Sequence, residues 1–375
     1  MTRLRIVADD LTGALDSAVG FAGAAGPVLV CRRGPAPVSA ACAAVDIGTR
    51  DLPVAALGPV LSDSAAWFDG GDLCFKKIDS LLRGHWAVEL AAMAATRQFD
   101  RIVVAPAFIQ QGRLTLGGRL HLRDPEGGLR AAPVAPIADA LADAGLRGVA
   151  CRRAGEPCQA FEGVAVFDVV DEADLFALTA EGLRWPGRTL WVGAAGLARA
   201  LAHQPVPVRR EFASSMLMVI GSVHPRTAAQ LERLRARLPE HFIEHRMGQD
   251  VRRSAARIRH LLQGSVPIGV LTFELPPGTP AASAEEAIRD GIGALSREID
   301  RPPLLFVTGG KTLDSLCGAV GCKHLRAYAE WAPGVVCATL EDGHWAGSQV
   351  ISKSGAFGDD NLLVELASHA GLDLD

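Results

Sequence analysis

The sequence has no apolar run of 18 residues, no cysteine pair with CxxC spacing and no long basic stretch. The first absence argues against a membrane-spanning helix, which needs about 20 apolar residues. The chain leads directly into a predicted strand, so we expect no signal peptide. A net charge of −4 argues against a nucleic-acid partner. The eight cysteines lack a zinc-site pattern, and we expect them to be reduced and buried in a cytoplasmic protein.

Lysine is scarce, with five residues against 33 arginines. A lysine ammonium is a compact point charge that suits phosphate oxygens, so the positions that keep lysine are of interest. Four of them lie in the glycine- or aspartate-bearing segments described below. The five are Lys76, Lys77, Lys311, Lys323 and Lys353.

Both common phosphate-binding fingerprints, GxxxxGK[ST] and GxGxxG, are also missing. An aspartate-rich segment, VADDLTGALDSA at 7–18, stands out instead. A short apolar run before it predicts a buried strand, and Thr12 or Gly13 is predicted to open a helix. Asp9 and Asp10 therefore lie where a strand ends and a helix begins, which in an open α/β sheet is where ligands bind.

Three interpretations of these aspartates stay open. Asp9 and Asp10 can form an Asx turn and a helix N-cap, since aspartate suits both. With Asp16 about one helical turn later, they can instead hold a divalent cation or a polyhydroxylated substrate. The third interpretation is an aspartate-rich metal motif of the prenyl-transferring kind. That motif needs an all-helical host, which the glycine and valine content disfavours.

Length and periodicity predict two domains of the α/β class. At 375 residues the chain is too long for one ordinary core. Apolar runs alternate with helical patterns, which predicts largely parallel sheets with helices on both faces, that is, two three-layer α/β domains. A polar, proline-rich stretch at 203–211 is interpreted as a linker, so the predicted domains are 1–205 and 206–375.

The predicted elements alternate along both halves of the chain. Strands are predicted at 3–8, 28–31, 44–47, 73–78, 101–105, 163–169, 189–193, 216–220, 267–273, 304–308 and 350–352. Helices are predicted at 86–96, 171–181, 226–237, 251–263, 283–299 and 313–320.

Polar side chains follow four predicted strands of the first half. The segment KKIDSLLRGH at 76–85 offers cations, a carboxylate and a hydroxyl, and Arg50 and Arg113 follow two other strands. Arg83 can clamp a substrate carboxylate through two parallel hydrogen bonds. Asp79 can accept a hydroxyl proton or hold a metal. Each segment alone can be a solvated loop, but four such loops together favour a binding site.

Glycine-bearing loops join strands to helices in the second half, at 221–227, 308–312 and 352–358. Small residues let the backbone approach phosphates, and a helix N-terminus supplies N–H groups. Each loop alone can be an ordinary turn, but three in one domain favour a nucleotide site. His241 and His245 lack a carboxylate that would complete a zinc pattern and are interpreted as surface or core histidines.

Together these segments resemble the four-carbon acid sugar kinases, the family of threonate, erythronate and oxo-tetronate kinases. The family pattern ADDLTGAxD is matched by residues 8–16, and K-x-D-S-T-L-R-G-N by 77–85. Five further patterns follow in the family's order: P-A-F-x-x-x-G-R-T-T, G-S-x-S-x-x-T, G-G-[DE]-T, E-x-x-P-G and K-S-G-x-F-G. Their counterparts are 106–115, 221–227, 309–312, 330–334 and 353–358. The resemblance covers nearly the whole chain.

The resemblance implies an acid-sugar domain and an ATP domain that face a shared cleft. It also implies ATP and Mg²⁺ as cofactors, and phosphate transfer to a terminal hydroxyl of a short, about four-carbon, sugar acid. The implied proton acceptor is Asp79 or Asp10. The predicted substrate-binding residues are Asp9, Arg50, Lys77, Ser80, Arg83 and Arg113. The predicted nucleotide-binding residues are Ser222, Gly309, Gly310, Lys311, Thr312, Lys353, Ser354 and Gly355.

Five residues depart from the family pattern. Leu81, His85, Leu114 and His224 replace threonine, asparagine, threonine and serine, and Lys311 replaces an acidic residue. We predict that Lys311 neutralises phosphate oxygens; the alternative is a side chain that points to solvent.

We therefore predict an ATP-dependent kinase of a small sugar acid or oxo-acid. The rival hypothesis is a catalytically impaired acid-sugar- or nucleotide-binding protein of the same fold. The particular acid, the metal ligands and the oligomeric state, a homodimer included, stay open.

Overall fold

The α/β class predicted from the sequence is confirmed. The computed structural model describes residues 2–34, 40–124, 126–156, 158–212, 215–246, 248–276 and 278–369. The chain divides into two compact units, Met1–Val206 and Pro207–Asp375. Each unit has a mainly parallel sheet whose strands alternate with helices. No helix in these described ranges combines the length and apolar character needed to cross a membrane.

The first unit contains the elements β1 to β11 and α1 to α7. Its strands are β1 (Leu4–Ala8), β2 (Val28–Arg32), β3 (Cys42–Asp46), β4 (Leu73–Lys77), β5 (Arg101–Ala105), β6 (Arg113–Leu116), β7 (Arg119–Arg123), β8 (Leu129–Ala131), β9 (Ala150–Arg153), β10 (Gly163–Asp168) and β11 (Thr189–Gly193). Its helices are α1 (Leu11–Gly20), α2 (Ala22–Ala25), α3 (Leu57–Ala65), α4 (Trp86–Ala95), α5 (Ile137–Asp143), α6 (Glu172–Gly182) and α7 (Ala195–Ala202).

Eight strands of the first unit pair in parallel in the order β2-β3-β1-β4-β11-β5-β10-β9. Every residue of β1 and β5 is buried, as expected for strands that helices cover on both faces. The carboxyl ends of β3, β1 and β4 are adjacent, because Ala8 is in register with both Asp46 and Lys77. Strands β6, β7 and β8 form a separate antiparallel sheet.

The second unit contains β12 to β18 and α8 to α12. Its strands are β12 (Met216–Ile220), β13 (Phe242–Arg246), β14 (Ile268–Glu274), β15 (Leu304–Thr308), β16 (His324–Ala332), β17 (Val335–Leu340) and β18 (Gln349–Lys353). Its helices are α8 (Pro225–Arg237), α9 (Val251–Leu262), α10 (Ala281–Glu298), α11 (Gly310–Ala319) and α12 (Leu362–His369).

The sheet of the second unit has the order β13-β14-β12-β15-β18-β17-β16. Neighbours from β13 to β18 are parallel, whereas β17 is antiparallel to both β18 and β16. The carboxyl ends of β12, β15 and β18 are adjacent, since Thr308 is in register with Ile220 and Lys353. These three ends carry the predicted glycine loops.

The sequence patterns did not predict seven of the strands: β6, β7, β8, β9, β13, β16 and β17. Several of them have one face in solvent, as in β13, where buried and exposed residues alternate from Ile243 onward. Such strands contain no continuous apolar run, and their charged residues resemble those of loops.

Two further predictions need correction. The stretch at 203–211 is not simply a linker, because the backbone N–H of Arg209 bonds to the carbonyl of Glu330 and that of Glu330 bonds to Pro207. Residues from 207 onward therefore pair with β16 of the second unit. None of the eight cysteines, all of which lie in the described ranges, forms a disulfide, but Cys151 is exposed because it lies on the edge strand β9.

A buried ion pair lies between the sheet of the first unit and α4. Lys76 Nζ of β4 lies 2.6 Å from Glu89 Oε2, and both side chains are fully buried. Lys76 also donates to the carbonyl of Lys77. Because each charge is compensated chiefly by the other, neither can be lost without leaving a buried charge behind.

We predict that the Lys76–Glu89 pair behaves as a unit in stability. Lys76→Met or Glu89→Met alone should lower the free energy of unfolding by about 3–5 kcal/mol. The double variant should recover most of that loss, because it buries no charge. Urea denaturation of the four proteins measures both effects. The prediction would be contradicted if the double variant lost as much free energy of unfolding as the two single variants together.

Candidate active site

The predicted substrate residues of the first unit converge at the carboxyl ends of three neighbouring strands. Asp9 and Asp10 follow β1, Arg50 follows β3, and Asp79 follows β4. A parallel sheet brings such ends to one edge, which is where ligands bind in this class of fold. Hydrogen bonds and ion pairs among these four residues, given below, show that they meet.

Arg50 is the centre of this cluster. Its Nε and Nη2 donate to the two carboxylate oxygens of Asp9 at 2.9 and 2.8 Å. Its Nη1 donates to Asp10 Oδ2 at 2.5 Å, and Nη2 lies 3.7 Å from Asp79 Oδ1. These carboxylates raise the pKa of Arg50 despite the opposing effect of burial. The Arg50 guanidinium, predicted to bind substrate, thus contacts three carboxylates of the protein.

Asp10 has two roles: it caps α1, and it is part of the cluster around Arg50. Its Oδ1 accepts the backbone N–H of Gly13, so the helix begins at Leu11, earlier than predicted. Its Oδ2 accepts from Thr12 Oγ1 as well as from Arg50. About 21% of the Asp10 side chain is exposed, against none of Asp9 and 7% of Asp79. Asp10 is therefore the most accessible of the three carboxylates.

Asp79 organises the loop between β4 and α4. Its Oδ2 accepts the backbone N–H groups of Leu81 and Arg83, and both its oxygens accept from the Arg83 guanidinium at 2.8 Å. Burial alone would raise the pKa of Asp79, but Arg83 and Arg50 outweigh it and hold that pKa well below its usual value. Asp79 is consequently ionised and a weak base.

The same balance applies to Asp9. Its burial would raise the pKa, but the positive charges of Arg50, Lys77 and Lys76 hold it below the usual value. The carboxylate is therefore charged, and Arg50 occupies both of its oxygens. Asp9 orients Arg50 rather than a substrate in this structure.

Lys77 supplies a buried cation whose charge favours the ionised forms of Asp9 and Asp79. The residue is 5% exposed, and its Nζ donates no hydrogen bond within the described ranges. Gly13 lies against it, since a Cβ there would come within 3.0 Å of Lys77 Nζ and 2.5 Å of Asp10 Oδ1. Only glycine at position 13 leaves room for both groups.

Ser80, Arg113 and His85 complete the surroundings of Asp79. Ser80 is buried in the loop after β4. Burial lowers the pKa of Arg113, and the Asp79 carboxylate opposes that effect, which places Arg113 within electrostatic reach of the cluster. His85 bonds through Nε2 to the carbonyl of Leu52 at 2.6 Å, tying this loop to the one that carries Arg50.

Three glycine loops of the second unit also converge. A Cβ on Gly221 would lie 2.2 Å from Thr312 Oγ1, and one on Gly355 would lie 2.2 Å from Ser222 Oγ. Gly309 has a φ of 100°, and its N–H donates to the carbonyl of Lys353. The close approach of the loops after β12, β15 and β18 thus depends on residues without a side chain. The start of α11 at Gly310 lies among them.

Lys353 lies beneath these loops. It is 1% exposed, and its Nζ donates to Thr227 Oγ1 at 3.4 Å and to the carbonyls of Ser354 and Gly355 at 3.3 Å. No carboxylate among the described residues pairs with it. Burial, with a smaller effect of Arg226, lowers the pKa of Lys353 to about 8.

Lys311 differs from Lys353 in its surroundings. Its side chain is 56% exposed, and its Nζ lies 2.7 Å from Glu285 Oε2. Contact with a phosphate would require exchange of that partner. The predicted role of Lys311 at the phosphates stays a prediction.

Two polar residues of α8 had been given no role from the sequence. Thr227 and Gln230 are fully buried and bond to the loop that follows β18. Their spacing of three residues places them on one face of the helix. That spacing, next to the glycine loop at 221–227, was the available signal. His241 and His245 are structural, bonding to the carbonyl of Ile268 and to Ser254.

Comparisons with known proteins agree with this division. A sugar-binding N-terminal domain model matches residues 4–144, and a nucleotide-binding C-terminal domain model matches residues 217–363. The D-threonate kinase of Cupriavidus necator is 30% identical over 407 aligned positions, covering 96% of this chain and 95% of that protein. The D-threonate kinase of Bordetella bronchiseptica is 28% identical, covering 96% of each.

Solved structures support the fold alone. A protein of Salmonella typhimurium LT2 has a TM-score of 0.72 at 18% identity, covering 97% of this chain and 98% of its own. A Haemophilus influenzae protein has a TM-score of 0.68 at 16% identity, with the same coverage.

The fold and the matched models define a class of two-domain α/β proteins with one sugar-binding and one nucleotide-binding domain. Within that class, the chain belongs to the four-carbon acid sugar kinase family.

We predict that Lys353→Met stabilises the free protein at neutral pH. Because burial lowers the folded-state pKa to about 8 from 10.5, the protonated side chain carries a penalty that is full below pH 8. That penalty disappears as pH rises toward 10.5. The variant should gain about 1–2 kcal/mol at pH 7.

Urea unfolding of parent and variant between pH 7 and 10 measures this difference. As pH rises, the free energy of unfolding of the parent should approach that of the variant until the two are equal. A variant that is less stable at pH 7 would show that the ammonium is compensated in the free protein.

Proposed function

We propose that this protein is an ATP-dependent kinase that phosphorylates a terminal hydroxyl of a small sugar acid of about four carbons. The relatives named D-threonate kinases make D-threonate the first acid to test. In this proposal the first unit binds the acid and the second binds the nucleotide.

The buried Lys353 ammonium is the observation that carries the proposal. A buried cation without a carboxylate partner is costly in a free protein, and an anionic ligand would offset that cost. Two of its three hydrogen-bond partners are carbonyls of the loop that contains Ser354 and Gly355. Phosphate oxygens suit such a point charge, and the nearby helix start at Gly310 adds N–H groups and positive dipole.

Charge in the first unit supports binding of an acid. With Arg50 occupied by Asp9 and Asp10, the cation best placed for a substrate carboxylate is Lys77. Arg83 is 61% exposed and can share its charge with a ligand while it holds Asp79. Arg50 serves this site indirectly, by keeping the aspartates in place.

We assign the proton acceptor to Asp10 rather than to Asp79. Asp79 is held by Arg83, which lowers its pKa and makes it a poor acceptor. Asp10 is more exposed than Asp79 and lies at the same edge of the sheet. Phosphoryl transfer depends mainly on positioning and charge neutralisation, so a modest base suffices.

Mg²⁺ fits this proposal as a companion of the nucleotide. In the described ranges, no group of three or more histidine, cysteine, aspartate or glutamate side chains could hold a metal ion. Mg²⁺ keeps several waters and binds largely through substrate phosphates, so it needs no such cluster. Its bound charge would help to neutralise the phosphates.

The function is tested with purified protein, ATP, Mg²⁺ and a panel of three- to six-carbon aldonates and oxo-acids that includes D-threonate. ADP release is followed by a coupled assay, and ³¹P NMR locates the new phosphoester. We expect acid-dependent ADP release and a terminal phosphate ester.

Binding without turnover would favour the alternative of a catalytically impaired binding protein of the same fold. Calorimetric titration with ATP and with the acids distinguishes that outcome. Absence of ATP binding would overturn the kinase proposal.

We predict that Asp10→Asn lowers kcat by about 10²- to 10⁴-fold, because the positioned proton acceptor is lost. Asparagine caps helices as well as aspartate does, so α1 should be retained. Asp10→Ser, which also caps, should lose activity to the same extent. Asp79→Asn serves as the comparison and should mainly raise the KM of the acid, because Arg83 loses its anchor. If steady-state kinetics instead show that Asp79→Asn lowers kcat and Asp10→Asn mainly raises the KM of the acid, the proton acceptor is Asp79.

A further inference from the structure

Helix α8 holds the loop at 354–361 through buried side chains. Thr227 Oγ1 donates to the carbonyl of Gly355 at 2.9 Å. Gln230 Nε2 donates to the carbonyls of Phe357 and Asp359 at 3.2 and 2.6 Å. Three carbonyls of one short loop are therefore turned toward the same helix.

This orientation determines where the loop's N–H groups point. In a trans peptide the C=O of one residue and the N–H of the next point in opposite directions. The carbonyls of Gly355 and Phe357 face α8, so the N–H groups of Ala356 and Gly358 face away from it. Neither N–H has an acceptor within the described part of the chain. The loop thus presents two backbone donors on the side opposite α8.

The same loop contacts the buried cation. Lys353 Nζ donates to Ser354 and Gly355 carbonyls, and to Thr227 Oγ1, which itself bonds to Gly355. Thr227 therefore links the α8 contacts to Lys353. Backbone N–H groups beside a lysine ammonium are a recurrent means of binding phosphate.

The amide of Gln230 is suited to holding the two loop carbonyls. Both of its partners are carbonyls, so the nitrogen must face them, and its Oε1 has no hydrogen-bond partner in the described ranges. Gly358 is packed against it, since a Cβ there would lie 3.2 Å from Gln230 Nε2. Glutamate would set a carboxylate against two carbonyls, and methionine would fill the space without donating.

We propose that Gln230 is a positioning residue for nucleotide binding, which turns the N–H groups of Ala356 and Gly358 toward the phosphates by holding the carbonyls of Phe357 and Asp359. The inference rests on the proposed kinase function. It deepens that function by assigning phosphate recognition to the loop backbone and the order of that loop to α8.

The test compares Gln230→Met and Gln230→Glu with the parent in steady-state kinetics. We expect the KM for ATP to rise at least about tenfold in the methionine variant and further in the glutamate variant. The KM for the acid should stay within twofold. Hydrogen exchange should show that ADP protects the amides of Ala356 and Gly358 in the parent and less so in Gln230→Met.

Two further variants make the result decisive. Arg233→Ala is the matched control, because Arg233 contacts Asn361 and Asp360 from the exposed side of α8. It should leave the KM for ATP within twofold. Thr227→Val removes the bond to Gly355 and should raise the KM for ATP as well. It decides the matter if neither Gln230 variant folds.

A folded Gln230→Met variant with the parent's KM for ATP would overturn the inference and leave the kinase proposal intact. A lower kcat at an unchanged KM for ATP would also overturn it. General damage to the fold lowers the amount of active enzyme but does not weaken the binding of ATP. A parent that binds no ATP would refute the proposed function, and the inference with it.

Discussion

The fourfold contact of Arg50 with Asp9, Asp10 and Asp79 holds the N-terminal site together. Three carboxylates at one sheet edge would repel each other, and burial by itself would raise the pKa of Asp9 and of Asp79. Arg50 opposes both effects, together with the lysines at Asp9 and with Arg83 at Asp79, so these two carboxylates stay ionised. Two of the aspartates also have a second partner, the start of α1 for Asp10 and Arg83 for Asp79. The loops after β1, β3 and β4 are ordered by this shared charge.

The buried charges of the two candidate sites have different partners. In the first unit the buried carboxylates of Asp9, Asp79 and Glu89 pair with Arg50, Arg83 and Lys76. In the second unit Lys353 is buried against hydroxyl and carbonyl oxygens alone. An uncompensated cation among glycine loops is unfavourable until an anion arrives, which is why we place phosphate binding there. In the first unit, Asp10 is the most exposed of the three carboxylates that Arg50 contacts, and the Lys77 ammonium lies buried against Gly13.

Family membership and site geometry answer different questions about this protein. The matched domain models and the D-threonate kinase relatives show which family the chain belongs to. They do not assign roles to side chains, and several departures from the family pattern acquire a meaning only in the structure. His85 bonds to the carbonyl of Leu52. His224 caps α8, because its Nδ1 accepts the N–H of Arg226. Lys311 pairs with Glu285.

Sequence alone determined the α/β class, most parallel strands and the strand-end loops, because buried parallel strands are continuous apolar runs and glycine or aspartate marks their ends. It could not find strands with a solvent face, such as β13, since their residues resemble those of loops. It named Arg50, Asp10 and Lys353 but could not tell which charges neutralise each other. That outcome depends on distances between residues far apart in the chain, as between Arg50 and Asp9, which are 41 positions apart. Only the tertiary structure sets those distances, and with them which cations and carboxylates remain available to a ligand.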